Sequence, residues 1–120
     1  MDGAREFLEQ IRTSQVVKGN LQALMHILIG RTISREDGTV LSRGMSWRQL
    51  ADLFRLVRWD KESVRELGLD PDNLPPRDRQ RYWYVAIQAA HVDQSVASTA
   101  ADTLIPKLSK LGFVVSGSKP

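Results

Sequence analysis

Apolar residues along this chain recur mostly at helical spacing. Over residues 4–17, Phe7, Leu8 and Ile11 form one stripe, and Glu6, Glu9 and Arg12 are left for solvent, the pattern of an amphipathic helix. Gly19 can end it. Asn20 can cap a second helix through Ile29, in which Leu21, Leu24, Met25 and Leu28 recur at i, i+3, i+4 and i+7 and Gly30 stands as terminator. Between Gly30 and Gly44 the helical period stops. There Asp37-Gly38 separates Thr32-Ile33-Ser34 from Thr39-Val40-Leu41, which predicts a short β-hairpin within residues 31–44. An exposed loop is the alternative, because a lone two-stranded ribbon is barely stable in water.

Ser46 with Gln49 forms a capping box that opens the clearest helix, with Trp47, Leu50, Ala51, Leu53, Phe54 and Val57 on its apolar face and Arg48, Asp52 and Arg55 opposite. Asp60 can cap a short helix with Val64 and Leu67 inward and Gly68 at its end. The segment Asp70-Pro-Asp-Asn-Leu-Pro-Pro76 reads as a rigid, ordered loop. From Arg77 to His91 a helix carries two neighbouring apolar faces, one of Tyr82, Val85, Ala86 and Ala89 and one of Trp83, Ile87 and Ala90. So wide an apolar surface predicts that this helix is central. Asp93 can cap a last helix through Val96, Ala100, Leu104, Leu108 and Leu111, kinked at Pro106. Phe113-Val114-Val115 follows as a short buried strand or an extended segment packed on the core.

The expected fold is therefore mainly α, a small bundle of about five helices with at most one short hairpin. It is expected to be a single domain over residues 1–115, with residues 116–120 a flexible tail. Composition agrees: in 120 residues, 42% are hydrophobic and 26% charged, enough apolar content for a packed core. The absence of cysteine removes disulfides, a thiolate nucleophile and Cys-rich zinc sites. It points to a reducing compartment, cytoplasmic or nuclear. The first ten residues lack an apolar signal region, and the apolar run Leu21–Ile29 is broken by Gln22 and His26, so neither a secretion signal nor a membrane span is expected.

Catalytic chemistry finds little support. His26 and His91 are the only imidazoles, and no nucleophile elbow, phosphate loop or HExxH motif occurs. Asp70, Asp72 and Asn73 suggest a calcium loop only superficially, since Pro71 intervenes and the turn glycine and the closing glutamate are missing. No catalytic residue, metal or cofactor is assigned.

Binding chemistry is better represented. Arg77, Arg79 and Arg81 lead into Tyr82, Trp83 and Tyr84, a composition that suits phosphate contact with base stacking and equally a protein hot spot. Consecutive helical residues point about 100° apart, so the three rings cannot share one narrow stripe. Either at least one lies at a rim, or all three pack in the core with the tyrosine hydroxyls reaching solvent. A second basic set, Arg31, Arg35, Arg43, Arg48, Arg55 and Arg58, either merges with the first into one positive surface or stays scattered in solvent. The candidate binding residues are Arg77, Arg79, Arg81, Tyr82, Trp83, Arg48 and Arg55.

Two short stretches resemble known families. Trp47-Arg-Gln-Leu-Ala-Asp-Leu-Phe54 with the capped helix at Asp60 resembles the second and third helices of death-fold domains. Val96–Val115 is similar to the recognition helix and first wing strand of winged-helix domains, which would imply nucleic-acid binding. The hairpin and proline loop depart from the first pattern; Pro106 and the missing return strand depart from the second. The functional expectation is a non-catalytic module that binds another protein. Nucleic-acid binding is the alternative, since the net charge is only +3.

Overall fold

The computed structural model describes residues 2–14, 16, 18–90 and 94–117. Among them, α1 (Asp2–Ser14) and α2 (Leu21–Gly30) lead into strands β1 (Thr32–Arg35) and β2 (Val40–Ser42). Helices α3 (Trp47–Leu56), α4 (Lys61–Glu66), α5 (Gln80–Ala90) and α6 (Gln94–Lys110) follow, and β3 (Phe113–Ser116) closes the order. None of the described helices is long and apolar enough to cross a membrane.

The centre belongs to α2. Leu21, Ala23, Leu24, Met25, Ile27 and Leu28 are buried together with His26, as expected of a helix apolar on all sides. It packs on α6 and α3, while α5 packs against α3. This corrects the expectation that the Arg77–His91 helix is central. Because α2 already fills the middle, α5 buries only Trp83, Ala86, Ile87 and Ala90, and Tyr82, Val85 and Ala89 face outward. Helix α5 also begins later than predicted, at Gln80: the amide of Arg79 donates to Pro76 O at 2.9 Å, so residues 76–79 form a turn ahead of it.

The predicted hairpin forms around Gly38, whose φ of 92° suits a residue without Cβ. Asp37 Oδ1 accepts the Thr39 amide at 2.9 Å, and this bond holds the carboxyl below its ordinary range. The hairpin does not stand alone. β3 pairs antiparallel with β1, Ile33 opposite Val115 and Ser34 opposite Val114, so the sheet has three strands in the order β2-β1-β3. The third strand supplies what a lone ribbon lacks, and it is anchored by Phe113, whose ring meets Phe7 edge-on at 4.8 Å. β3 reaches Ser116, one residue into the predicted tail. It returns along β1 rather than opening a wing, a departure from the winged-helix pattern.

Local signals hold at most helix ends. Ser46 Oγ accepts the Gln49 amide and Gln49 Oε1 accepts the Ser46 amide, a complete capping box. Asp60 accepts the Ser63 hydroxyl at 2.6 Å and amide at 3.4 Å. Two details differ. Asn20 makes no side-chain cap and instead donates to Val16 O, and Gly30 is the last residue of α2, with Arg31 following in extended conformation. Helix α6 continues through Pro106 to Lys110. His91 and Asp93, and residues 118–120 of the predicted tail, lie outside the described residues.

Candidate functional site

Consecutive aromatics on α5 separate by helix geometry into core and surface. Trp83 is 4% exposed and Tyr82 57%. Trp83 is thus a largely buried side chain that does not share the outward face of Tyr82. Tyr82, Val85 and Ala89 recur at i, i+3 and i+7, and Val85 is 56% exposed. This outward stripe forms one wall of a groove of about 620 Å³ whose other wall is Leu67, Gly68 and Leu69, the turn that ends α4. Gly68 adopts φ 77°, which lets the chain reverse there and lay Leu69 beside α5.

Among the described residues, the only charged one lining the groove is Arg81. At the N-terminal end of α5, Arg81 lines it, and the Arg79 guanidinium lies 5.8 Å from the centre of the Tyr82 ring, within cation–π range. Near its C-terminal end, Glu66 and Ala90 border a second depression of about 340 Å³ with Leu21, Met25, Val96 and Ala100. Burial pushes the Glu66 carboxyl above its ordinary range, with repulsion from Glu62 and Asp60 adding to this against the Gly19 amide.

The remaining candidates line the seam between α3 and α5. Arg48 and Arg81 share a depression of about 330 Å³ with Gln80 and Tyr84. Further along, Arg55 pairs with Asp52 at 3.2 Å and donates to Arg77 O at 2.6 Å, while Arg77 donates to Leu56 O at 3.4 Å. Arg55, Arg58 and Arg77 converge on a pocket of about 390 Å³. Asp52, also bonded to Gln80 Nε2 at 2.5 Å, divides the seam into two basic parts. The structure therefore brings Arg48 to Arg81 and Arg55 to Arg77, and sets Arg79 and Tyr82 on the groove. Arg31 and Arg35 lie apart on the sheet: Arg35 pairs with Glu6 at 2.5 Å and Arg31 reaches Gly117 O.

Sequence reasoning missed Val85 and Ala89 as surface residues, whereas Leu67 is buried as expected. The signal was the excess width of the apolar surface on α5, which left open whether one of its rings lies at a rim. Among the described residues no three His, Asp or Glu side chains converge as metal ligands. No family model, curated protein or solved structure matches the chain.

Proposed function

We propose that this domain is a non-catalytic protein-binding module that seats an amphipathic helix of its partner in the groove along α5. The observation that carries the reading is the pair Tyr82 and Val85, more than half exposed, at helical spacing in a concave apolar surface. Exposed apolar patches rimmed by charge characterise interaction sites, and a groove of this kind can receive the apolar face of an amphipathic helix, whose own residues at i, i+3 and i+7 serve as anchors. The basic end of the groove favours a partner helix with carboxylates near Arg79 and Arg81.

The test is selection from a displayed library of helical peptides. The expected winners are amphipathic, acidic at one end, and lose binding by about 1.4 kcal/mol or more, at least tenfold, to Val85→Arg. Winners indifferent to Val85→Arg and to Tyr82→Ala would remove the groove as the site.

A second reading, nucleic-acid binding, draws on the two arginine clusters of the α3–α5 seam. It requires oligonucleotide binding at about 50 mM salt that weakens steeply as salt rises. Arg48→Glu with Arg81→Glu should abolish it.

A further inference from the structure

The pocket beside α4 differs in kind from the groove. Arg55, Arg58 and Arg77 line it and no carboxylate does; Trp59, Leu74 and Trp83 supply its apolar wall. Asp52 lies behind Arg55 and offsets that one charge, while Arg58 is exposed and has no ion-pair partner among the described residues. The indole N–H of Trp83 is buried and has no acceptor in the protein, although more than nine in ten buried polar groups of folded proteins are paired. The other indole is satisfied, since Trp59 donates to Phe54 O at 3.0 Å. Trp59 therefore offers ring surface and not a donor.

From this combination we infer that the pocket binds a phosphate monoester joined through a sugar to a planar base: a mononucleotide, free or as the 5′-terminal residue of a strand. Guanidinium groups match phosphate oxygens in fork geometry. A phosphate monoester brings three acceptor oxygens and about two negative charges, where a carboxylate brings two oxygens and one charge. It thus uses more of the donors that Arg58, Arg77 and the Trp83 indole leave open. The indole of Trp59, with Leu74 alongside, gives a ring an apolar surface to lie on. A volume of about 390 Å³ is near the lower end of the roughly 300–1,000 Å³ of small-ligand sites, which fits one nucleotide and no longer stretch of strand. This inference is independent of the α5 groove, whose residues are not among those lining the pocket.

The experiment is titration of the full chain, followed by calorimetry and tryptophan fluorescence, with adenosine 5′-monophosphate, adenosine, inorganic phosphate and a 5′-phosphorylated single-stranded pentanucleotide. Adenosine monophosphate should bind at sub-millimolar concentration, and adenosine or phosphate alone at least about tenfold more weakly, since each lacks one half of the recognition. Equal affinity for the monophosphate and the pentanucleotide identifies the free nucleotide as the ligand; tighter binding of the pentanucleotide identifies the strand end. Arg58→Ala changes only an exposed side chain and should lower affinity about tenfold with the thermal midpoint unchanged. Trp83→Phe removes the N–H and should do the same where it folds; Arg58→Ala decides the matter where it does not. Absence of binding up to about 5 mM monophosphate, or binding unaffected by Arg58→Ala, overturns the inference, as does a preference for a glutamate-rich peptide over the monophosphate.

Discussion

Tyr82 and Trp83 are adjacent in sequence and opposite in environment, so truncating each to alanine measures directly how α5 is oriented. Trp83 is 96% removed from solvent, and emptying such a site ordinarily costs about 3–5 kcal/mol. Removal of its unpaired indole N–H returns part of a desolvation penalty of about 1–3 kcal/mol. The expected net loss for Trp83→Ala is about 2–4 kcal/mol. Tyr82→Ala removes a ring already 57% exposed and one cation–π contact with Arg79, so its loss should stay below about 1 kcal/mol. In urea, with a slope of about 2 kcal/mol/M, Trp83→Ala should lower the midpoint by about 1–2 M and Tyr82→Ala by less than about 0.5 M. Circular dichroism at matched protein concentration reads both. Equal shifts, or a larger one for Tyr82→Ala, would mean that α5 presents a different face to α3 and would remove the groove with it.

Further outcomes follow from local structure. Ser46→Ala breaks a complete capping box and should cost about 0.5–2 kcal/mol by the same urea assay; an unchanged midpoint contradicts the cap. Pro106 lies inside α6, so Pro106→Ala restores a backbone donor and should stabilise by about 1–3 kcal/mol in thermal melts; a loss would show that the ring fits a bend the fold needs. At Asp60, burial pushes the carboxyl up but the Ser63 hydroxyl and amide outweigh it, holding the group below its ordinary value of 3.8. A carboxylate so lowered stabilises the fold above its unfolded pKa, and this stabilisation fades as pH falls through the folded one. The advantage of the wild type over Asp60→Asn should therefore be full at neutral pH and shrink below 3.8; a difference constant with pH would count against it.

Much of the local structure was legible in the chain because its determinants are local. The Ser46–Gln49 box, the Asp60 cap and the Asp37-Gly38 turn each involve residues two or three positions apart, and hydrogen bonds at that range are written in the order of residue types. The heptad-like stripes of α1 and α3 likewise named their own buried residues, Phe7, Leu8 and Ile11 and then Leu50, Leu53 and Phe54. The three consecutive aromatics of α5 also implied that one ring could lie at a rim, and Tyr82 does.

What the sequence left open depended on partners distant along the chain. Whether α2 or α5 occupied the centre could not be read from either helix, because both carry more apolar surface than one neighbour covers; the outcome rests on α2 packing on both α6 and α3. That competition decided which of Tyr82 and Trp83 is buried, and so left Tyr82, Val85 and Ala89 of one apolar face of α5 to line a groove. The sheet is the same case. Val114 and Val115 look alike in sequence, and only pairing with β1 fixes the register in which Val115 stands opposite Ile33. The convergence of Arg55, Arg58 and Arg77 on one pocket came from the loop after α4 returning to α3. A return over that distance is set by the tertiary packing of the whole chain, and no local pattern encodes it.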